Sequence, residues 1–557
     1  MPTINVKTTD LEWLAGMRLG AAELEARLPL VKGELKGRAA ASGELHLELN
    51  DTNRPDLWSV EGIARQFRLA AGRDTNYPFF HGKQRPQARV QVDAALRPIR
   101  PYLGACIATG IAITDETLRQ LIQVQEKLSE NFGRRRQIVS IGLYRLAEIT
   151  FPVRYTAADP DAARFVPLGF DQPLSLRAIL AQHPKGQAYG GIIAGHDRFP
   201  LLIDARERIL SLPPIINSRE LGEVQIGDRD LFVEVTGTDL RMVALTVNIL
   251  AANLADRGAR IAPVETRYPY PTTLGRNVRL PRTLAPPVTI AVDAFERALG
   301  EAVAVPELKR VLGRYGYQVQ ARGRRLRVAA PPYRDDLMHP IDVVEDFAIS
   351  RGYASFEPRL PSEFTIGGLT PQEGCSDQVR ELLIGLQFQE IISNILTAKD
   401  DLQPRMRQTA AVVEVENVMA QTYSCLRNSL LPSLLRVEAA SSKSFFPHRI
   451  FEVGEVALPV NGAEPATRLH AAALIAHADA SFSELHSAFD LLLHYLGRAY
   501  SLEPIEHPSF IDGRAGRIVI DGVDIGVIGE LHPQVLEQWQ AIMPAVAFEL
   551  HLDPLLP

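Results

Sequence analysis

Four carboxylates are spaced so that they could act together on a cation. Asp342, Glu345 and Asp346 follow the i, i+3, i+4 pattern, which a helix places on one face. Pro340 suits the first turn of that helix, and Asp336 lies shortly before it. Two acids at this place would indicate only an acidic helix start. Four favour a hard cation with oxygen ligands, Mg²⁺ first, bound in part through water or shared with a partner.

The same segment resembles the B5 domain of the phenylalanyl-tRNA synthetase β subunit, most closely the archaeal and eukaryotic type. The resemblance rests on Tyr-Arg-x-Asp from Tyr333, His-Pro-x-Asp-Val-x-Glu-Asp from His339, and Arg-Gly-Tyr from Arg351. In that family the four matching acidic positions bind Mg²⁺ together with the α subunit. The resemblance implies the same role for Asp336, Asp342, Glu345 and Asp346.

The composition is that of an ordinary globular protein. A chain of 557 residues with 46% hydrophobic and 23% charged residues is expected to form about three to five domains. It contains no apolar run long enough to span a membrane, and its first residues lack the pattern of a secretion signal. Cys106, Cys375 and Cys425 are far apart, which fits a reducing cytoplasm and excludes a cysteine zinc site on this chain alone. We therefore expect a cytoplasmic protein without a membrane partner.

The charge balance argues against a chain that holds nucleic acid by itself. The net charge is −6, whereas phosphate contacts require basic surfaces. Two basic segments stand out, three arginines at 134–136 and Arg-Gly-Arg-Arg-Leu-Arg at 322–327. The second is predicted to be the tip of a β-hairpin, and it is either a solvated turn or an RNA contact. Another subunit is therefore expected to supply much of the tRNA-binding surface.

The predicted fold class is α/β and α+β, divided into several domains. Residues 1–88 are predicted to form a mixed N-terminal module, with a strand at 45–49 and a capped amphipathic helix at 59–67. The phrase at 53–62 resembles the N-terminal module of the same β subunit. Arg54 and Asp56 within it are predicted to form a salt bridge in a loop rather than to act in catalysis.

Residues 89–267 read as a longer α/β region. A helix is predicted near 116–131, strands at 137–144 and 231–235, and a helix from about Leu240 that is capped by Asp239. Two phrases, Pro-Pro-Ile-Ile-Asn-Ser at 213–218 and Val-Thr-Gly-Thr-Asp at 235–239, occur in the order found in the B3/B4 editing domain of the family. The region resembles that domain.

The resemblance implies a proofreading pocket at four positions: Leu202, Ser211, Glu234 and Thr236. An apolar pocket rejects an analogue with one extra hydroxyl by only about a hundredfold, so a second site that selects the hydroxyl is needed against tyrosine. Glu234 would accept a hydrogen bond from the phenol of a mischarged tyrosine. Ser211 and Thr236 would position the ester or the attacking water, and Leu202 would shape the wall. No Ser-His-Asp arrangement can be assigned, so no covalent intermediate is expected.

Residues 268–360 are predicted to form a winged-helix-like, metal-binding domain, with helices at 292–298 and 307–315 before the basic hairpin. Residues 361–557 are predicted to form an antiparallel sheet with helices that resembles class II synthetases, because 448–456 (His-Arg-Ile-Phe-Glu-Val-Gly-Glu-Val) resembles their second motif. After Arg517 the chain contains no Lys or Arg, so no cation is available there for a nucleotide triphosphate. We predict no synthetic residues on this chain.

The resemblance implies the β subunit of an α2β2 phenylalanine–tRNA ligase, which joins L-phenylalanine to tRNA(Phe) with ATP and Mg²⁺. Adenylation and transfer would occur on the α subunit. This chain would supply scaffold, metal ligands, a tRNA-binding surface and hydrolysis of mischarged tyrosyl-tRNA(Phe). Three other interpretations stay open from the sequence: a free-standing aminoacyl-tRNA deacylase, a regulator without either activity, and a self-sufficient synthetase. The last is disfavoured because a class II site needs an arginine near the end of its domain for the triphosphate, and this chain has none after Arg517.

Overall fold

The computed structural model of the protein describes residues 2–39, 43–50, 53–73, 75–82, 84–358, 360–460 and 463–556. It divides into two compact units, Met1–Arg359 and Leu360–Pro557. Both units contain helices packed on sheets, so the prediction of a mixed α/β, multidomain protein is confirmed. The finer domain boundaries stay predictions. No helix in the described ranges is both long enough and apolar enough to cross a lipid bilayer.

The first unit begins with a small antiparallel sheet in the order β1-β3-β2. Its strands are β1 (Thr3–Lys7), β2 (Gly33–Ala39) and β3 (Glu44–Leu49), and its helices are α1 (Thr8–Ala15), α2 (Ala21–Arg27) and α3 (Val60–Ala70). Strand β3 alternates buried and partly exposed residues, as predicted. The predicted helix cap is also confirmed, because the Ser59 hydroxyl accepts a hydrogen bond from the Gly62 N–H at 3.1 Å.

A sheet of ten described strands follows, in the order β12-β11-β10-β7-β4-β14-β5-β13-β6, with β15 paired to β14. The strands of this region are β4 (Ala88–Val92), β5 (Tyr102–Thr109), β6 (Val139–Arg145), β7 (Val153–Ala158), β8 (Arg164–Phe165), β9 (Leu174–Ser175), β10 (Phe199–Ile203), β11 (Ile209–Leu212), β12 (Ile216–Asn217), β13 (Asp230–Gly237), β14 (Arg260–Arg267) and β15 (Asn277–Leu280). Strands β8 and β9 pair only with each other. The helices are α4 (Asp115–Lys127), α5 (Leu176–Gln182), α6 (Pro184–Tyr189), α7 (Arg219–Gly222) and α8 (Leu240–Asp256).

Helix α8 covers one face of this sheet, and alternate side chains of β13 point to the opposite face. Val235 pairs with Gly104 on β5, and a side chain on Gly104 would meet Val243 and Val247 of α8. Because side chains alternate along a strand, Glu234 and Thr236 face away from α8. The predicted cap of this helix is confirmed, since Asp239 accepts a hydrogen bond from the Met242 N–H at 3.0 Å.

The remainder of the first unit is a three-stranded sheet in the order β16-β18-β17 with three helices. The elements are β16 (Val288–Ala291), α9 (Val292–Leu299), α10 (Val305–Gly313), β17 (Gln318–Arg322), β18 (Arg325–Ala329) and α11 (Pro340–Arg351). The predicted helices and the basic hairpin are confirmed to within about one turn. Gly323 forms the hairpin tip with φ +57°, a conformation that glycine adopts without strain.

The second unit is built on a seven-stranded sheet in the order β19-β23-β24-β28-β27-β26-β25, in which only β19 and β23 are parallel. The strands are β19 (Gln389–Glu390), β20 (Leu396–Thr397), β21 (Val413–Glu414), β22 (Cys425–Leu426), β23 (His448–Leu458), β24 (Ala466–Ala476), β25 (Ser501–Pro504), β26 (Phe510–Ile520), β27 (Val523–Leu531) and β28 (Ala545–His551). Its helices are α12 (Pro371–Gly385), α13 (Lys399–Leu402), α14 (Leu431–Ala440), α15 (Phe482–Tyr495) and α16 (Pro533–Trp539). Strands β20, β21 and β22 form a separate small sheet.

Candidate functional site

A cavity of about 410 Å³ lies against the ten-stranded sheet and is lined by parts of α4, β6, β11, β12 and β13. Among its lining residues are both polar and apolar side chains, including Ser140, Leu143, Ser211, Asn217 and Glu234. Two of the four predicted pocket residues, Ser211 and Glu234, thus line one cavity. The cavity is therefore the candidate site of this unit.

Glu234 is the buried one of three charged residues that line this cavity, the other two being Arg136 and Glu223. Its side chain is 97% shielded from solvent, since its relative exposure is only 3%. Its Oε1 lies 2.9 Å from the Tyr144 hydroxyl, whereas its buried Oε2 has no hydrogen-bond partner among the described residues. Burial raises the pKa of Glu234 to about 7, against the lowering effects of the Tyr144 hydrogen bond and the Arg100 charge. The cavity therefore contains an acid that titrates near neutrality and has an unused acceptor atom.

Ser211 reaches Glu234 only through Tyr144. The Tyr144 hydroxyl lies 2.8 Å from Ser211 Oγ and 3.4 Å from Asn217 Oδ1. Strand register places Ser211 and Asn217 side by side near the Tyr144 hydroxyl, because Ser211 pairs with Asn217 on β12. On its other side Ser211 pairs with Leu202 on β10. Leu202 is fully buried in β10 but does not line the cavity.

Thr236 belongs to a separate buried group. Its hydroxyl accepts a hydrogen bond from Arg100 Nε at 3.0 Å and lies 3.0 Å from Ser140 Oγ, and its carbonyl accepts one from Arg100 Nη2 at 2.7 Å. Burial lowers the pKa of Arg100 to about 10. Thr236 does not line the cavity, so it acts on the site only through Ser140, which does.

The arginines at 134–136 contribute one residue to the cavity. All three have positive φ, between 47° and 64°, a region that costs non-glycine residues free energy and often marks functional sites. Arg136 stacks 4.3 Å from the Tyr189 ring and donates hydrogen bonds to the carbonyls of Pro214 and Ile215 at 3.1 and 2.9 Å. It thereby holds the proline turn that forms part of the cavity wall.

The acidic segment does not gather its carboxylates around one point. Arg334, which is buried, donates to Asp336 from Nε at 3.0 Å and to Asp346 from Nη2 at 2.6 Å. Burial opposes ionisation of Asp336, but the charge and hydrogen bond of Arg334 outweigh it and lower the pKa of that carboxyl. Tyr317 also donates to Asp346. Two of the four predicted metal ligands therefore bind an arginine.

The other two acids have different partners. Asp342 Oδ2 accepts hydrogen bonds from the N–H groups of Met338 and His339, both at 2.7 Å, and so caps α11. Glu345 forms an ion pair with Lys32 at 3.0 Å. In the part of the chain that the structure describes, no three His, Cys, Asp or Glu side chains are placed to hold a metal ion. As arranged here the four carboxylates do not fit one, and the Mg²⁺ site stays a prediction.

Comparison with known proteins decides the family. Residues 357–552 match the model of the phenylalanyl tRNA synthetase beta chain CLM domain, and residues 288–353 match that of the tRNA synthetase B5 domain. The phenylalanine–tRNA ligase beta subunit of Thermococcus kodakarensis is 37% identical over 575 residues, covering 100% of this chain and 99% of that protein. The chain belongs to the phenylalanine–tRNA ligase β-subunit family.

Two further relatives extend this result. The β subunit of the bacterium Treponema pallidum is 39% identical over 525 residues, covering 92% of this chain and 87% of that protein. The crystal structure of an N-terminal fragment of the Pyrococcus horikoshii β subunit superposes with a TM-score of 0.60 at 35% identity, covering 63% of this chain and 100% of the fragment. The predicted β-subunit resemblance is confirmed, and the chain is part of an aminoacyl-tRNA ligase.

In this β subunit, the predicted salt bridge of the N-terminal module is confirmed. Arg54 donates to both oxygens of Asp56 at 2.8 Å, and both side chains are buried. The basic hairpin is partly neutralised, since Arg324 pairs with Asp293 and Glu296 at 2.7 and 2.6 Å. These contacts assign Arg54, Asp56 and Arg324 to structural ion pairs.

The second unit of this β subunit carries a buried anion, Glu549, in the part of the chain that contains no Lys or Arg. Glu549 on β28 lies 2.5 Å from the Ser429 hydroxyl, accepts from the Leu430 N–H at 3.0 Å and lies 2.7 Å from His470 Nδ1. It lines a cavity of about 260 Å³ whose lining residues include neither Lys nor Arg. Glu549 therefore occupies backbone donors at the start of α14 that a phosphate could otherwise use, and the cavity offers a polyphosphate neither Lys nor Arg.

Sequence reasoning identified Glu234 and Ser211 but missed Tyr144, which joins them. The signal that could have found Tyr144 is the alternation of side chains along β6, which puts Ser140, Gly142 and Tyr144 on one face. These three residues pair with Thr236, Glu234 and Phe232 of β13, in that order. That register could not be assigned before β6 and β13 were known to be neighbours.

Proposed function

We propose that this β subunit hydrolyses mischarged tyrosyl-tRNA(Phe) in the 410 Å³ cavity, while an α subunit attaches L-phenylalanine to tRNA(Phe) with ATP and Mg²⁺. One observation carries the proofreading half of the proposal: Glu234 is buried in the cavity with one oxygen that has no partner among the described residues. A buried acceptor of this kind is costly, and a ligand hydroxyl relieves the cost.

The size and chemistry of the cavity suit a tyrosyl ester. Pockets for small ligands measure roughly 300–1,000 Å³, and this one measures about 410 Å³. A phenol bound there would donate its proton to Glu234 Oε2. A phenylalanyl ring has no such donor, and leaving the acceptor unpaired beside it would cost about 1–3 kcal/mol, or roughly 5- to 150-fold in selectivity. The geometry thus favours tyrosine over phenylalanine, as a second sieve requires.

Hydrolysis would use water rather than a nucleophilic side chain. Ser211 lines the cavity, and its hydroxyl would orient the ester or the attacking water. Thr236 and Arg100 would support this role indirectly, by fixing Ser140 at the wall of the cavity. Leu202 would act as the buried residue that sets the position of Ser211 across the strand pair.

The synthetic half is proposed to lie on the partner. The 260 Å³ cavity of the second unit is lined by Glu549 and by neither Lys nor Arg, the residues that usually neutralise the phosphates of ATP. We propose an α2β2 assembly in which the α subunit supplies those cations, binds ATP with Mg²⁺ and shares tRNA(Phe) with this chain. The three free, buried cysteines are consistent with a reducing cytoplasm as its location.

The test is Glu234→Ala in the assembled enzyme, assayed on purified tyrosyl-tRNA(Phe). We expect hydrolysis to fall by at least about tenfold while phenylalanine activation is retained. Glu220→Ala is the matched control, because Glu220 is an exposed acid on the neighbouring α7. Hydrolysis at the normal rate by the Glu234 variant would exclude this site. Separately, phenylalanine-dependent ATP–pyrophosphate exchange by the isolated chain would show that the assignment of synthesis to a partner is wrong.

A further inference from the structure

Tyr144 is the only described residue whose side chain forms hydrogen bonds with both Ser211 and Glu234, the two predicted residues that line the cavity. Its hydroxyl is fully buried and lies 2.8 Å from Ser211 Oγ and 2.9 Å from Glu234 Oε1. A phenol has one proton, so it can donate to only one of these neighbours. Donation to the carboxylate is favoured because a hydrogen bond to an ionised acceptor is the stronger one. Ser211 then donates its own proton to the Tyr144 oxygen.

The groups around Glu234 define what Tyr144 does to its charge. Burial favours the neutral acid, while the Tyr144 hydrogen bond and the positive charge of Arg100 favour the anion. Tyr155 on β7 is the other titratable group that interacts with Glu234, and it remains a neutral phenol because burial raises its pKa. Tyr144 is therefore the neutral hydrogen-bond donor that favours the ionised form of Glu234, and it occupies Oε1 while Oε2 has no partner among the described residues.

We propose that Tyr144 is a positioning and specificity-determining residue, which holds Glu234 as an ionised acceptor with one oxygen reserved for the phenolic hydroxyl of a mischarged tyrosine. This inference rests on the proposed function of the cavity. In the bound state the Glu234 carboxylate would bridge two phenols, that of Tyr144 on Oε1 and that of the substrate on Oε2. Phenylalanine could not complete this bridge.

Loss of the Tyr144 hydroxyl has a consequence that a purely structural role would not have. Without it, one influence that lowers the pKa of Glu234 is removed, so that pKa rises above its value of about 7. At neutral pH the carboxyl would then be mostly protonated, and its hydrogen bond with a phenol would lose its charge assistance. Selectivity for tyrosine would fall near neutrality and return at higher pH, where Glu234 ionises again.

The experiment compares Tyr144→Phe with the wild type in the assembled enzyme, using tyrosyl-tRNA(Phe) from about pH 6 to about pH 9, with spontaneous hydrolysis subtracted. We expect kcat/KM to fall about tenfold at pH 7, and the acid limb of the profile to move to higher pH. Tyr155→Phe is the matched control. It removes a buried phenol oxygen from the same sheet that has no hydrogen-bond partner among the described residues. Superimposable profiles for Tyr144→Phe and the wild type would overturn the inference.

A binding measurement keeps the inference testable even if the chain does not hydrolyse the ester. The probes are non-hydrolysable amides of tyrosine and phenylalanine on 3′-amino-3′-deoxyadenosine, titrated calorimetrically into the full chain. The wild type should bind the tyrosyl amide more tightly than the phenylalanyl amide. Tyr144→Phe should reduce the ratio of the two dissociation constants about tenfold at pH 7. An unchanged preference in the variant would refute the role of Tyr144 alone. No preference in the wild type would refute the proposed function and this inference together.

Discussion

Glu234 on β13 and Gly142 on β6 are partners in the antiparallel register, and the carboxylate occupies the space where a side chain at 142 would lie. A Cβ atom built on Gly142 would come within 2.5 Å of Glu234 Oε1 and closer still to the Tyr144 hydroxyl. Real Cβ contacts are never this short, so no residue with a side chain fits without moving one of the two groups. The glycine is required for the close approach of Tyr144 and Glu234 rather than for a turn.

Gly142→Ala should therefore disrupt the site without touching a polar group. The added methyl must displace Tyr144 or Glu234, and overpacking of this kind costs about 1–3 kcal/mol of stability. Hydrolysis of tyrosyl-tRNA(Phe) should fall by at least about tenfold, which a filter assay on the assembled enzyme would measure. Gly195→Ala is the control, because a Cβ there meets no other atom within 4 Å. Equal activity of the two variants would show that the Tyr144–Glu234 contact is dispensable.

Glu234→Gln should change the pH dependence of stability. In the folded chain the pKa of Glu234 is raised to about 7 from an ordinary value of 4.5. The folded state therefore binds more protons than the unfolded state between those values, and the wild type loses stability as pH rises through them. The neutral glutamine has no such loss. We expect the variant to be more stable than the wild type at pH 8, by about 1–3 kcal/mol, and nearly equal at pH 4.

Calorimetric melting at the two pH values measures this difference. Glu220→Gln serves as the reference, since Glu220 is exposed and the same chemical change there should leave the pH dependence as it is. A stability gain of Glu234→Gln that is the same at both pH values would contradict a neutral-range titration of Glu234. The variant should also hydrolyse tyrosyl-tRNA more slowly, because a neutral amide lacks the charged acceptor proposed for the substrate phenol.

Asp342→Ala should destabilise α11 whether or not metal is present. Asp342 Oδ2 accepts two backbone hydrogen bonds at the helix start, and loss of such a cap costs about 0.5–2 kcal/mol. Asp342→Asn retains an oxygen acceptor and should lose less. Because Arg334 and Lys32 already bind three of the four acids, Mg²⁺ should not raise the melting temperature of the isolated chain. A Mg²⁺-dependent rise that Asp342→Asn abolishes would instead support the predicted metal site.

Local signals predicted most of the elements near the site, and long-range pairing explains what was missed. Strand β3, the Ser59 cap and the Asp239 cap follow from alternation and from side-chain acceptors within a few residues. Tyr144 meets Glu234 and Ser211 only because β6, β13 and β11 come together in the tertiary structure. Sequence spacing does not encode such a contact, so only the family resemblance pointed to that region.

The acidic segment illustrates a different limit. Counting the carboxylates on one helical face left out Arg334, which lies two residues before Asp336 and has the opposite charge. In a buried environment a nearby guanidinium is a stronger partner for two carboxylates than water, and it separates Asp336 and Asp346 from Asp342 and Glu345. The predicted helix is confirmed at Pro340–Arg351, but helical spacing could not predict which partner each acid would bind.

The Arg54–Asp56 pair should be among the most sensitive positions of the N-terminal module. Both side chains are buried and joined by two hydrogen bonds of 2.8 Å, and Arg54 also lies 5.6 Å from the ring centroid of Tyr315. Arg54→Ala would leave a buried, uncompensated carboxylate, which costs about 3–5 kcal/mol. Urea unfolding of the full chain measures this. Arg18→Ala is the control, because the Arg18 side chain is 94% exposed in its pair with Glu12 and should contribute less than about 1 kcal/mol. A similar small effect at both positions would mean that water reaches Asp56 once Arg54 is removed.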